Sequence, residues 1–479
     1  MVEHQLEHYL KTYFGFDTFK AGQQSIIESV LAGHNTLATL PTGSGKSITY
    51  QLPALLTTGI TIVVSPLLSL MIDQVKVLKA KGIKRVATLT SLHNSHQKQR
   101  ILNQLSNVQL LYCSPEMLQQ SQVIDYLKQQ HVNYFVIDEA HCLSQWGHEF
   151  RTDYLKLNAV HNELGQPTLL ALSATATDDV QQDIVNHFNL PFEKIIYPID
   201  RPNITLSVSH VETVEEKHRQ LTKLLEKKRM PTMIYFSSRM KSESVCHMLQ
   251  QQFPDRAIAF YHGGMESEDR LLIQQQFMYD QLDVICCTSA FGMGVDKANI
   301  RLVIHYHMPS DLESYIQEIG RAGRDGQPSL AFLLYQRGDE TLPFHLIGQE
   351  LPDDEMISAF LQSVDLSDKL TETQERFLVF QTEKNRYLSN DLFLTIRQVR
   401  DQRLAVKKDS IMGLLKWIHT DQCRRQELYK KFQEEVKNAE FDCCDQCGFN
   451  IENWELPDDG SFYIEVNWEK RLKELFNKR

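Results

Sequence analysis

Two stretches of the chain alternate short β-branched or apolar runs with longer segments whose apolar positions recur at helical spacing. That is the pattern of parallel strands joined by helices. In the first stretch TLATL (36–40), TIVVS (61–65), VQLLYCS (108–114), YFVID (134–138) and TLLALSA (168–174) predict strands. In the second, TMIYFS (232–237), AIAFYH (257–262), VICCTS (284–289) and LVIHYH (302–307) do so. Each stretch predicts one α/β domain. Between them LPFEKIIYPIDRPNI (190–204) carries three prolines, has no helical period and reads as the connector. From about residue 339 strand-like runs give way to helical periodicity, as in SIMGLLKWIHTDQCRRQELYKKF (410–432), and a cysteine cluster follows. The predicted units are therefore 1–200, 201–338, a helical cysteine-bearing region 339–450 and a tail 451–479.

Composition narrows the class. With 42% apolar and 23% charged residues over 479 positions, the chain has the balance of a folded multi-domain protein. No apolar run is long enough to span a bilayer, and MVEHQLEHYLKTYFGF lacks a basic region followed by an apolar stretch. A cytoplasmic protein with no membrane partner is expected. Cys113, Cys142, Cys246, Cys286 and Cys287 lie in apolar or motif-rich segments and read as reduced thiols. A net charge of −11 excludes a protein coated with basic residues, as DNA packaging would demand, but leaves room for a local basic groove. Basic residues do outnumber acidic ones from Arg400 to Lys431, a bias that a solvated helix face explains equally well.

The strand TLATL runs into PTGSGKSITY, where Gly43 and Gly45 let backbone N–H groups approach phosphate oxygens and Lys46 and Ser47 open the next helix. Thr42, Gly43, Ser44, Gly45, Lys46 and Ser47 are thus the candidate cradle for ATP. Lys46 would reach the β and γ phosphates and Ser47 would hold Mg²⁺. The strict Walker pattern wants a glycine where Leu40 stands. YFVID delivers Asp138 and Glu139 at its carboxyl end, where a doubly wound sheet needs a second magnesium ligand, Asp138, and a group to polarise the attacking water, Glu139. In the second domain QEIGRAGRDG (317–326) places Arg321 and Arg324 at i and i+3, which predicts both on nearly one helix face, aimed at the γ-phosphate. Phosphate loop and arginines then belong to different domains, so hydrolysis requires the cleft to close, and closure is the stroke of a motor.

This motif set resembles the RecQ family of superfamily-two helicases over nearly all of residues 10–335, and x-P-T-G-x-G-K-S is the helicase form of the phosphate loop. The resemblance implies two tandem RecA-like parallel-sheet domains followed by a mainly helical zinc-binding domain. It implies an ATP-dependent DNA helicase unwinding duplexes with 3′ to 5′ polarity in recombination and repair. Single-stranded and duplex DNA are the implied partners, with single-strand-binding protein as a further candidate. FGFDTFKAGQQSII is similar to the family segment upstream of the phosphate loop, which implies that Phe16 stacks on adenine and Gln23 bonds its edge. Lys20 stands where the family usually has arginine, which loses a planar fork. HCLSQWGHEFRTDY (141–154) resembles the family's aromatic-rich loop, so Trp146, Phe150 and Arg151 are the implied base-stacking and phosphate contacts, with His141 as a relay. SAT (173–175) resembles the coupling element. Gln317 lies in the nucleotide-facing motif, and TSAFGMGVD (288–296) places Gly292 and Gly294 at tight turns and Asp296 near the cleft.

The family carries a four-cysteine zinc site near this position. Here Cys423 falls in a predicted helix and CCDQC supplies Cys443, Cys444 and Cys447, while Phe441 occupies the usual first place of the triplet. Adjacent ligands at Cys443 and Cys444 demand a sharp backbone bend, and His419 is the reserve fourth ligand. A structural Zn²⁺ is expected. Beyond Cys447 little sequence remains for a winged helix, while the interval from Arg324 to Cys423 is longer than the family's helical hairpin, so extra helices are expected to replace part of it. An RNA helicase or duplex translocase with the same motor is the alternative function.

Overall fold

A computed structural model of the chain describes residues 2–66, 68–144, 152–227, 229–291, 297–366, 369–385 and 391–454. Strands covered by helices on both faces must be apolar at successive positions rather than alternate ones, and the inner strands of both sheets obey this. In domain 1 the strands are β1 (Thr36–Thr39), β2 (Ile60–Val64), β3 (Val86–Leu89), β4 (Leu110–Cys113), β5 (Val132–Ile137), β6 (Thr168–Ser173) and β7 (Glu193–Ile196). They form one parallel sheet in the order β3-β4-β2-β5-β6-β1-β7. β2 turns Ile60, Ile62 and Val64 into one core and Val63 into the other, and β5 divides Phe135 and Ile137 from Tyr134 and Val136 in the same way.

Domain 2 repeats the arrangement with β8 (Ile204–Val211), β9 (Thr232–Tyr235), β10 (Ile258–Tyr261), β11 (Val284–Cys287), β12 (Leu302–His305) and β13 (Ser329–Gln336), in the order β10-β11-β9-β12-β13-β8. The connector reading of 190–204 needs correction, because its first part is β7, paired in parallel with β1 from Thr36↔Glu193 to Thr39↔Ile196. β7 is an edge strand and largely exposed, so it lacks the apolar run that marks an inner strand.

The region after domain 2 is helical, as expected, and has two parts. The helices Thr341–Glu350, Asp354–Leu361 and Glu372–Asn385 pack on the long helix Leu392–Ile418. Leu351, Ile357, Phe377, Leu378 and Ile396 give this arm a small core of its own. The other end of the long helix enters the core of domain 2 through Ile411, Leu414, Trp417 and Ile418. The arm also reaches back to domain 1, where Arg376 pairs with Asp153 at 3.2 Å and Lys156 with Glu383 at 3.7 Å.

The helical periodicity across 410–432 is broken. The long helix stops at Ile418, and Cys423 is the N-cap of a separate helix, Arg424–Tyr429, rather than a mid-helix residue. Arg424 explains the break: its buried guanidinium takes the carbonyls of Trp417 (3.0 Å) and Ile418 (3.2 Å), which a helix end leaves unpaired, and Trp417 Nε1 returns a bond to the Arg424 carbonyl at 2.9 Å. Among the described residues no helix is long and apolar enough to cross a membrane.

Candidate nucleotide site and cysteine cluster

β1 ends in the loop that turns into the helix Ile48–Leu56, with Gly43 at φ 76° and Gly45 at φ 75°. These left-handed values suit glycine. Ser47 is the N-cap, and Lys46 and Ser47 line a cavity of about 150 Å³ together with Asp138, Glu139 and Arg324. Lys46 Nζ stands 3.8 Å from Glu139 Oε1. Burial, reinforced by the Glu139 charge and opposed by Lys46, pushes Asp138 up to about 7. A carboxyl so placed is stabilised as the anion by a cation, which is the observation that fits Mg²⁺ between Ser47 and Asp138.

The upstream segment wraps the loop. Gln23, only 2% exposed, donates through Nε2 to the carbonyls of Ser44 (2.8 Å) and Gly45 (3.0 Å), so its amide braces the loop backbone. Lys20 Nζ donates to the Gly43 carbonyl at 3.1 Å, a contact that uses its charge without the planar fork of arginine. Phe16 is half-exposed with the Lys81 ammonium 5.5 Å from its ring centre.

The arginines of domain 2 are placed differently from the helix-face expectation. The helix Leu312–Ile319 ends before them, and both lie in the following turn, where Gly323 adopts φ 53° and a Cβ would come within 2.4 Å of Asn203 Nδ2. The turn separates their directions. Arg324 crosses to domain 1 and lies along the phosphate loop, its Cδ 2.8 Å from where a Cβ on residue 43 would sit. Arg321 is buried within domain 2, near enough to Tyr235 for its charge to act on that hydroxyl. Gly320 meets Thr42 so closely that a Cβ there would fall 1.9 Å from Thr42 Oγ1.

A second line of contacts leaves the site on the far side of Glu139. His141, 1% exposed, has Nδ1 3.5 Å from Glu139 Oε2 and 3.1 Å from Ser173 Oγ. The Thr175 amide donates to Ser173 Oγ at 3.2 Å, and Gln317 Nε2 from domain 2 donates to Thr175 Oγ1 at 3.3 Å. The DEAH strand end is thus joined to domain 2 through SAT. Tyr154, whose hydroxyl donates to the Asp138 carbonyl at 3.2 Å, and Arg201, described below, are site residues the sequence did not single out. Trp146, Phe150, Arg151, Gly292, Gly294 and Asp296 lie outside the described residues.

Near the C-terminus, one sulfur each from Cys423, Cys443, Cys444 and Cys447 lie within 4.8 Å of one another. Cys423 Sγ and Cys443 Sγ are 3.7 Å apart, close to the ~3.8 Å edge of a tetrahedron with Zn–S near 2.3 Å. Burial opposes ionisation of Cys423, but the Gln426 and Arg425 amides and the thiols of Cys447 and Cys443 outweigh it and hold its pKa below the ordinary thiol value. The donor set fits a structural zinc. His419 is not part of this group; its ring stacks on His210 at 5.1 Å.

Two parallel-sheet lobes with a phosphate loop on one and an arginine turn on the other define a helicase motor. Family models agree: DEAD/DEAH box helicase matches residues 20–184 and the helicase conserved C-terminal domain matches residues 216–326. The chain is 40% identical, over 99% of its length and 98% of the relative's, to the Bacillus subtilis protein named "Probable ATP-dependent DNA helicase RecS". It is 42% identical to the ATP-dependent DNA helicase RecQ of Haemophilus influenzae, over 69% of this chain and 53% of that one, so it spans about half the length of that longer relative. The chain belongs to the RecQ family of ATP-dependent DNA helicases. Its fold is shared with the Mycobacterium smegmatis helicase Lhr, at 19% identity and a TM-score of 0.59 over 86% of this chain and 57% of that one.

Proposed function

We propose that this ATP-hydrolysing helicase unwinds duplex DNA with 3′ to 5′ polarity and serves recombination and repair. The observation that carries the reading is the route from Glu139 through His141, Ser173 and Thr175 to Gln317, because it ties the hydrolytic strand end to the lobe that must move. In this reading the Thr42–Ser47 loop holds the phosphates, with Lys46 on the β and γ groups and Arg324 on the charge that spreads over the γ-phosphoryl oxygens in the transition state. Glu139 orients the attacking water. Ser47 and Asp138 would hold Mg²⁺, which would supply charge neutralisation on the phosphates. Arg321, turned toward Tyr235, supports the turn from within domain 2.

Trp146, Phe150 and Arg151 are the proposed contacts to bases and phosphate, as the family resemblance implies, and Asp296 is the proposed cleft residue of domain 2. Single-stranded and duplex DNA are the partners, single-strand-binding protein is the factor that would keep separated strands apart, and the cytoplasm is the compartment. Cys423, Cys443, Cys444 and Cys447 would hold zinc, which would supply folding energy without touching the reacting groups. The test is strand displacement on 3′-tailed and 5′-tailed DNA duplexes and on matched RNA duplexes. Unwinding of 3′-tailed DNA alone is expected; equal action on RNA, or preference for the 5′ tail, would overturn the reading.

A further inference from the structure

Arg201 sits in the connector and donates to four backbone carbonyls. Nη1 bonds Thr42 O at 3.1 Å and Gly320 O at 3.2 Å; Nη2 bonds Ala322 O at 3.2 Å and Gly323 O at 2.5 Å. Thr42 belongs to the phosphate loop, and the other three acceptors belong to the turn that carries Arg324. A guanidinium presents its donors in fixed directions within one plane, so a single side chain holds the two backbone segments at one separation.

The connector is itself held from behind by the segment that carries the cysteines. Arg425, 1% exposed, donates to the Arg201 carbonyl at 2.9 Å and also to the Ile204 carbonyl. Next to the cysteines, Thr205 Oγ1 donates to the Asp442 carbonyl at 2.8 Å. Around it Gln433 Oε1 accepts from the Ile199 amide (2.8 Å), the Lys437 amide donates to the Asp200 carboxylate (2.8 Å), and the Leu206 amide donates to the Cys443 carbonyl (3.2 Å). The connector is therefore fastened on one side to the cysteine cluster and on the other, through Arg201, to both walls of the nucleotide cleft.

We propose that Arg201 is a positioning residue for ATP hydrolysis: seated by Arg425 and the cysteine cluster, it sets the spacing between the phosphate loop and the arginine turn, so that Arg324 reaches the γ-phosphate only when both prongs are engaged. This rests on the reading of Arg324 as the γ-phosphate ligand. The cluster thereby acts on the chemistry through backbone spacing, with no contact to the nucleotide. A lysine at 201 keeps the charge and the stem, but its one ammonium lacks the two-pronged fork that serves both walls.

The experiment compares Arg201→Lys, Arg324→Ala and the double variant in the full chain, measuring DNA-stimulated kcat and KM, affinity for a fluorescent ATP analogue, melting temperature and zinc content. Arg201→Lys is expected to lower kcat about 10- to 100-fold, the scale of a reacting group displaced by an ångström, with analogue affinity within about threefold and zinc content unchanged. In the Arg324→Ala background the same substitution should cost less than about twofold, because the group it positions is already gone. Wild-type kcat in Arg201→Lys while Arg324→Ala is inactive would overturn the proposal alone. So would an equal loss in both backgrounds, which marks a strap acting independently of Arg324. Wild-type hydrolysis by Arg324→Ala would instead remove the reading beneath it.

Discussion

The two walls of the nucleotide cleft are built in different ways. The wall from domain 1 is one continuous loop, residues 42–47, braced inside its own domain by Gln23 and Lys20. The wall from domain 2 is a single turn, residues 320–324, that reaches the first through Gly320 against Thr42, Arg324 along Gly43 and the shared clasp of Arg201. A wall that is complete by itself can hold a nucleotide whatever the other does. A wall that arrives from outside acts only on closure. Binding and hydrolysis should therefore come apart under mutation, and the cleft behaves as a holder on one side and a trigger on the other.

The largest separation is expected from Arg324→Ala. Hydrolysis should fall by about 10³ to 10⁵, the worth of an arginine on a transferring phosphoryl group, while affinity for a fluorescent ATP analogue stays within about threefold; equal losses in both would erase the distinction. Gly320→Ala comes next. Its Cβ would fall 1.9 Å from Thr42 Oγ1, so the turn must stand off and hydrolysis should drop about 10- to 100-fold. Unchanged kcat would show that the two walls need not meet so closely. Gln317→Ala removes one hydrogen bond between the lobes, that to Thr175, and should cost about three- to tenfold in DNA-stimulated hydrolysis. The DNA-independent rate should stay nearly constant, and an equal fall in both would place Gln317 in catalysis rather than coupling. Smallest at the cleft is Cys447→Ser, which alters the exposed member of the sulfur cage. It should lower the zinc found per chain and the melting temperature by a few degrees, and a wild-type zinc content would exclude Cys447 as a ligand.

The same contrast explains what could be read from the sequence. The holder was legible because its geometry is local: a strand, two left-handed glycines and the Lys46–Ser47 pair follow one another in sequence. Inner strands such as TIVVS and VICCTS declared themselves by unbroken apolar runs, whereas β7, on the edge, shows EKII and was absorbed into the connector. The trigger was half legible. Arg324 could be named, but its direction depends on the left-handed turn at Gly323, which places it opposite Gly43 and sends Arg321 inward. Arg201 gave no signal at all, since its partners are backbone carbonyls that every sequence presents. Cys423, expected within a helix, instead caps one, because the side chain that ends the long helix, Arg424, lies beyond the break it stabilises. The adjacency of Cys443 and Cys444, which raised His419 as a substitute, is accommodated by the chain, and the four sulfurs converge without it.

All of this depends on one nucleotide being gripped between two lobes and on that grip driving strand separation. The direct measurement is ATP-dependent displacement of a 3′-tailed DNA strand by Lys46→Ala protein whose melting temperature matches the wild type. No displacement above the ATP-free background is expected. Displacement at the wild-type rate would contradict it.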